Sequence, residues 1–205
     1  MSLEEKKSQL VSIGPRPFAG PAPVFWVGTY DAMNRANIMT GVMGGLCCLH
    51  PPCISISVGK ASWTHSAIVE RRAFTLSIPG KDRVGEIDFC GLVSGREEDK
   101  FASLGLTAGV GEHVDAPYVE DCPVVIELLL RHTLPLGSHT QFVGEIMDVK
   151  VLSRCLTSDL IPGPNALESF CFFPLAGEYY SIGGLLARAF SVGKTRGGYG
   201  KGDAQ

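Results

Sequence analysis

The sequence lacks any hydrophobic run long enough to cross a membrane. No apolar stretch approaches the ~20 residues that a transmembrane helix needs. The opening segment, MSLEEKKSQL, is charged and polar, whereas a signal peptide has an apolar core. We therefore expect no membrane partner and a cytoplasmic location.

Charge is scarce as well. Charged residues make up 19% of the chain, the formal net charge is -3, and lysine and arginine are scattered. Nucleic-acid-binding surfaces concentrate basic residues in a patch or stripe, so nucleic acid is not expected as a partner. The hydrophobic fraction of 45% predicts a globular protein with a substantial core.

The seven cysteines form no C-x-x-C pair and no Cys/His spacing typical of zinc. We expect no metal site. The odd number favours reduced, mostly buried thiols over a disulfide framework. The adjacent Cys47 and Cys48 are expected to fill core space.

Several catalytic motifs are also absent or incomplete. Gly193-Lys194-Thr195 ends like a phosphate-binding loop, but Arg188 stands where that motif begins with glycine. Gly109-Val110-Gly111 lacks the third glycine of a dinucleotide-binding turn. Neither H-E-x-x-H nor G-x-S-x-G occurs. A hydrolase has no support, and no side chain is singled out as catalytic.

What the sequence does contain is a series of short strands separated by glycine and proline. Alternation and β-branched residues predict strands at residues 23–29, 38–40, 53–58, 74–78, 123–130 and 141–152. In the third, Ser55 and Ser57 should face one side, and Ile54, Ile56 and Val58 the other. Such a pattern predicts a β-barrel or sandwich with few helices.

Three short helices are predicted beside these strands. One covers about residues 65–72, with Thr64 as its N-cap. A second covers 96–104, begun by the capping-box spacing of Ser94 and Glu97 and ended by Gly105. The third covers 181–192.

Lys60-Ala61-Ser62-Trp63-Thr64 joins a strand to a helix. A helix start has free N–H groups and a partial positive charge, so this segment is a candidate phosphate site. The alternative is an ordinary helix cap beside a surface lysine.

Two other segments are ambiguous when taken alone. Asn37-Ile38-Met39-Thr40 offers the mixed donors and acceptors that a flavin's pyrimidine edge needs, or is simply a turn that enters a strand. Asp88-Phe89-Cys90-Gly91 with Ser94-Gly95 places polar atoms near a ligand, or forms a loop and a helix cap.

The order of these segments resembles the flavin reductase-like family, most closely its flavoredoxin branch. The resemblance covers about residues 15–195 and includes Pro21-Ala22-Pro23, Asn37 to Thr40, Pro51-Pro52, Lys60 with Thr64, Asp88 to Gly95, Asp99-Lys100-Phe101, and Tyr179 to Gly183. Asn34 departs from the glycine usual after Asp31, but asparagine tolerates positive φ.

The resemblance implies one FMN-binding split β-barrel of Greek-key type over residues 15–195. An N-terminal extension (1–14) would precede it, and a flexible glycine-rich tail (196–205) would follow. It further implies a homodimer with FMN, rather than FAD, near the subunit interface.

The resemblance also assigns residues to this cofactor. Asn37, Ile38, Met39 and Thr40 would serve the isoalloxazine ring or the ribityl chain. Lys60, Ser62, Trp63 and Thr64 would hold the phosphate end. Asp88, Cys90, Gly91 and Ser94 would lie by the ring, from the partner subunit in one arrangement. Of these, Cys90 is expected to act as a packing or contact residue.

Two functions fit this resemblance. In the first, the protein is an oxidoreductase that passes electrons from NAD(P)H through the flavin to an acceptor. In the alternative, it is a flavoredoxin-type electron carrier that serves a redox partner protein and has no nicotinamide site. A flavin-binding domain used for storage or regulation is a third, non-redox option.

Overall fold

The computed structural model describes residues 10–193 and is mostly β, with few short helices, as predicted. The strands are β1 (Ala22–Pro23), β2 (Phe25–Tyr30), β3 (Ala36–Gly41), β4 (Gly44–Leu49), β5 (Pro52–Gly59), β6 (Ala73–Ile78), β7 (Ala108–Val110), β8 (Pro117–Val119), β9 (Val124–Leu136), β10 (His139–Val151), β11 (Phe170–Phe173) and β12 (Glu178–Ser181). The α-helices are α1 (Trp63–Arg71), α2 (Val84–Leu92), α3 (Lys100–Leu104) and α4 (Pro164–Leu167).

One seven-stranded antiparallel sheet, in the order β3-β2-β6-β9-β10-β5-β4, dominates the fold. Its two edge strands, β3 and β4, are consecutive in the chain and are joined only by Val42 and Met43. A link this short spans about 10 Å at most. The two edges must therefore lie close together, and the sheet rolls into a barrel that stays split between β3 and β4.

The connection from β5 to β6 has Greek-key character. These two strands flank the β9–β10 hairpin, so the intervening segment crosses that hairpin and carries α1 with it. Ile68 of α1 is fully buried in the barrel core. This packing fixes the start of α1 near the split, beside the beginning of β3.

Strand β2 is buried on both faces, and this separates two hydrophobic cores. Phe25 and Val27 point into the barrel, whereas Val24 and Trp26 pack outside it against α2, α3 and β11. A smaller sheet, β1-β11-β12, completes this outer layer. Strand β3, which pairs with β2, is consequently held between the barrel core and α2.

Most of the local predictions are confirmed. Five of the six predicted strands are single strands, several with shifted ends, whereas the one predicted at residues 23–29 is interrupted at Val24 and divided between β1 and β2. Ser55 and Ser57 are half-buried, whereas Ile54, Ile56 and Val58 are buried in the barrel core. Asn34 adopts a φ of 60°, which supports its place in a turn that usually needs glycine. Gly105 ends α3 in the left-handed conformation.

The helix predictions need correction. Helix α1 starts at Trp63 with Ser62, not Thr64, as its N-cap. Ser94 forms an isolated turn whose carbonyl accepts from the N–H groups of Glu97 and Glu98. Helix α3 begins only at Lys100, because the Asp99 carboxylate caps it through the N–H of Ala102 at 3.1 Å.

Two larger expectations are wrong. Residues 182–188 form no regular structure; Leu185 and Leu186 are 80% and 99% exposed, so no apolar face packs to stabilise a helix. Of the two alternatives for Asp88 to Gly91, the loop is wrong, because these residues belong to α2.

The cysteine prediction is confirmed in part. All seven cysteines are free thiols, and four of them are buried. Cys47 and Cys48 are exposed, because they lie on the edge strand β4 and not in the core.

Residues 194–205, which include most of the predicted tail, lie outside the described residues. Within residues 10–193, no helix is long and apolar enough to span a bilayer.

Candidate functional site

The start of α1 is the first part of the candidate site. The Ser62 hydroxyl accepts from the N–H of His65 at 3.2 Å, which satisfies one of the N–H groups that a helix start leaves free. The N–H groups of Trp63 and Thr64, which lie in the first turn, have no intrahelical acceptor. They remain donors for an anion, with the positive end of the helix dipole behind them.

Asn37, Thr64 and Gly95 meet beside this helix start. The Asn37 side-chain amide donates to the Thr64 hydroxyl at 3.4 Å, and both residues are buried. A Cβ on Gly95 would lie 2.2 Å from Oδ1 of Asn37, so only glycine lets the backbone approach so closely. Segments 37–40 and 60–64 and the residue Gly95, predicted separately, therefore converge in space.

Two arginines, neither predicted as a site residue, lie against Trp63. The guanidinium carbons of Arg35 and Arg96 are 5.6 and 5.7 Å from the centroid of the indole ring. The Arg35 charge is paired with Asp31 at 2.7 Å. Arg96 instead donates to the carbonyl of Ala61 at 3.1 Å, and no carboxylate of residues 10–193 forms an ion pair with it.

Lys60 adds a further cation at the same place. Its side chain is exposed, and among the described residues its ammonium forms no ion pair. Burial lowers the pKa of His65 below its usual value, and the nearby charge of Lys60 lowers that pKa further. Lys60 and Arg96 thus bring two cations without an ion pair to the helix start, whereas acidic residues line the groove on the other side of Trp63: Asp31, Glu97, Glu98 and Asp99.

The far part of β3 packs on α2. The Thr40 hydroxyl donates to the carbonyl of Ile87 at 2.5 Å. Gly91 faces Thr40 across this contact, and a Cβ there would stand 3.6 Å from that of Thr40, an ordinary contact distance. Ile38 is fully buried and Met39 packs on the barrel core, so towards a ligand these two residues offer mainly their backbone.

A buried lysine holds β3 and α2 together. Lys100 is 3% exposed, and its ammonium donates to the carbonyls of Ile38 and Cys90, at 2.9 Å each. Burial lowers the pKa of Lys100 from its usual value. Sequence reasoning missed this role, because a lysine beside a helix cap is ordinarily solvated.

Three predicted residues are not part of this convergence. Asp88 is exposed and accepts from the Tyr179 hydroxyl at 3.2 Å. Cys90 is 1% exposed, and burial raises the pKa of its thiol to about 11, so it is a packing residue rather than a nucleophile. The Ser94 hydroxyl accepts from the N–H of Arg96 within its own turn.

An open cleft of about 600 Å³ lies beyond the other end of β3, on the outer face of β4 and β5. Its volume is in the range of small-molecule sites. The walls combine apolar and backbone groups with a few polar side chains: Pro21, Val42, Met43, Gly44, Gly45, Leu46, Ser55, Ser57 and Gln141. Nothing lies within 4 Å of a Cβ built on Gly45, so the backbone there is open to a flat ligand.

The cleft and the helix start are connected by β3 itself. From Asn37 to Val42 the strand covers roughly 17 Å at about 3.3 Å per residue. The arrangement therefore suits an elongated ligand with an anionic group at one end and a flat, mostly apolar group at the other. Alternation in β5 predicted that Ser55 and Ser57 share a face, but no signal in the sequence indicated that this face borders a cleft.

Comparisons with known proteins identify the family of the chain. The model of the flavin reductase-like domain matches residues 19–161. The solved structure of flavoredoxin from Desulfovibrio vulgaris (Miyazaki F) is 51% identical, with a TM-score of 0.87 over 90% of this chain and 100% of that chain.

Two curated relatives match over shorter stretches. A high molecular weight rubredoxin of Moorella thermoacetica is 33% identical over 50% of this chain and 44% of that protein. An NADH:riboflavin 5'-phosphate oxidoreductase of Streptomyces pristinaespiralis is 25% identical over 68% of this chain and 79% of that protein.

The family match covers more than half of the chain and includes β3, the start of α1 and all the residues that line the cleft except Pro174. The chain therefore belongs to the flavin reductase-like family of split-barrel proteins.

Proposed function

We propose that the protein binds FMN along β3 and uses it for electron transfer. The main support is that β3 runs from the start of α1, beside the unpaired cations Lys60 and Arg96, to an open cleft of suitable size. Lys60, Ser62, Trp63 and Thr64 hold the phosphate end, as the family resemblance implies. Arg96, whose guanidinium donates to the carbonyl of Ala61, adds a second cation to these phosphate-binding residues.

The ring and the ribityl chain belong to the remainder of β3 and to the cleft. The backbone of Asn37 to Thr40 borders the chain, and Ser55, Ser57 and Gln141 offer hydrogen bonds to the polar edge of the ring. Gly91 contributes through its place opposite Thr40, where even a Cβ would have an ordinary contact. Asp88, Cys90 and Ser94 have other partners within this chain, so any contact that they make with the ring is secondary.

When bound, FMN supplies two-electron chemistry, taking a hydride from NAD(P)H and passing electrons to an acceptor. The protein's own residues then bind and orient the cofactor. The NADH-dependent relative supports this oxidoreductase function. The flavoredoxin and the rubredoxin relatives favour the alternative, a carrier that exchanges electrons with a redox partner protein.

We further propose a homodimer. Leu185, Leu186 and Phe190 lie on the segment after β12 and are at least 80% exposed in the single chain. Contiguous apolar exposure of this kind is typical of an interaction surface. A second copy of the chain would cover the segment near the cofactor.

The cytoplasm is the proposed compartment. Seven free thiols fit a reducing environment.

The phosphate assignment is tested by Lys60→Ala. Loss of a charge-assisted contact should weaken FMN binding by roughly 1.5–3 kcal/mol and leave riboflavin binding nearly unchanged, because riboflavin has no phosphate. Flavin fluorescence titration measures both affinities. Lys81→Ala is the matched control, since that exposed lysine pairs with Glu168 in another part of the fold. Equal losses for FMN and riboflavin would place the phosphate elsewhere.

The two functions are separated by anaerobic reduction of the FMN-loaded protein. Rapid bleaching of the flavin absorbance by NADH or NADPH is expected for the oxidoreductase. If dithionite bleaches the flavin but neither nucleotide does, the oxidoreductase function is wrong and the carrier function is supported. Stopped-flow absorbance gives the rate in each case.

The dimer is tested by Leu185→Ser combined with Leu186→Ser. If these leucines are buried between subunits, the double substitution should weaken the free energy of dimerisation by roughly 1.5–3 kcal/mol per leucine and shift the protein towards monomer. Size-exclusion chromatography with light scattering measures the mass. Leu160→Ser, at a position 77% exposed on another loop, is the control and should leave the mass unchanged. A wild-type monomer, or a double variant that stays dimeric, contradicts the proposed contact.

A further inference from the structure

The hairpin formed by β4 and β5 carries three cysteines that the flavin site does not use. Cys47 and Cys48 lie near the end of β4, and Cys53 lies near the start of β5, across a turn of His50 and Pro51. In the antiparallel register Cys48 stands directly opposite Cys53.

A β-bulge concentrates the thiols further. The register changes from Leu46 opposite Ile54 to Cys48 opposite Cys53, so Cys47 is the extra residue of β4. A bulge places two residues of one strand opposite a single residue of the other. Cys47 uses its thiol to contact the carbonyl of Cys53 at 3.4 Å. Cys47 thus contacts the backbone of Cys53, whereas Cys48 is the residue that stands in register with Cys53.

The spacing of a register pair suits a disulfide. Directly opposite residues of an antiparallel pair have Cα atoms about 4.5–5.5 Å apart, which lies within the range of disulfide-bonded cysteines. To form the bond, the Cys53 thiol must turn away from the carbonyl of Pro51, to which it donates at 3.4 Å. The bond would also close only a short loop of chain.

The two thiols differ in access. Cys48 is exposed on an edge strand, whereas Cys53 is only 6% exposed. Burial raises the pKa of Cys53, and the neighbouring thiols raise it further. An incoming reagent would therefore meet Cys48 first, and Cys53 would act second from within the protein.

We propose that Cys48 and Cys53 form a redox-active dithiol that exchanges with low-molecular-weight disulfides. In the first step the Cys48 thiolate attacks one sulfur of the reagent, the S–S bond breaks, and the departing thiolate takes up the proton that Cys48 released. In the second step the Cys53 thiolate attacks the Cys48 sulfur and expels the second small thiol. The protein loses two hydrogen atoms, and the reagent gains them.

This activity is independent of the flavin, because neither thiol belongs to the proposed cofactor contacts. The exchange gives the hairpin two covalent states: the dithiol, and a disulfide that clamps β4 to β5. Leu46, two residues before Cys48, lines the cleft. The clamp therefore forms at the border of the cleft wall, and transient disulfides of this kind are the type found in reducing compartments.

The experiment is anaerobic incubation of the purified full-length protein with oxidised glutathione, followed by acid quench, alkylation and peptide mass spectrometry. A peptide linked through Cys48 and Cys53 is expected, with two glutathione molecules released per linked chain. Cys53→Ser should stop at a stable mixed disulfide on Cys48. Cys48→Ser, at an exposed position that folding tolerates, should form neither product there. Cys47→Ser and Cys171→Ser are the matched controls and should form the linked peptide as the wild type does.

Three outcomes would overturn the proposal. The first is a wild-type protein with no intramolecular link. The second is a link that joins Cys47 in place of Cys48. The third is a link to Cys53 that forms at the wild-type rate in Cys48→Ser. None of these bears on FMN binding, which is measured separately on the same samples by absorbance.

Discussion

The buried ammonium of Lys100 is the interaction on which the candidate site depends. A charged amine removed from water is costly unless hydrogen bonds replace its hydration. Lys100 makes two such bonds, to the backbone carbonyls of Ile38 in β3 and Cys90 in α2. Its side chain thus ties the central strand of the site to the helix beside it. No carboxylate of residues 10–193 pairs with this ammonium, so the two carbonyls are what holds it in place.

The barrel supplies the rest of the geometry. Because β3 and β4 are the two edges of one rolled sheet, the chain between them turns at the split and forms part of the cleft. The crossing from β5 to β6 brings the start of α1 to the opposite end of β3. One strand therefore reaches both a cationic helix start and a mostly apolar cleft. The positions of both features follow from sheet topology and do not depend on a flexible loop.

Local sequence patterns predicted the elements better than the contacts. Period-two alternation predicted β5 and its two faces, because its inward side is uniformly aliphatic. Thr64 was predicted as the cap of α1, but Ser62 takes that role, since a helix start of Ser, Trp and Thr permits two registers. Arg96 and Lys100 carry no local sign of their roles, because each acts through carbonyls that are distant in the sequence. The proposed helix at 181–192 failed because apolar spacing alone cannot show whether a partner surface exists within the same chain.

The proposed cofactor is elongated and lies along β3, with its phosphate at the start of α1. A crystal structure of the protein grown with FMN tests this most directly. We expect phosphate density against the N–H groups of Trp63 and Thr64, within reach of Lys60 and Arg96, and ring density in the cleft beside Gly45. Phosphate density elsewhere on the barrel, or a ring outside the cleft, would contradict it.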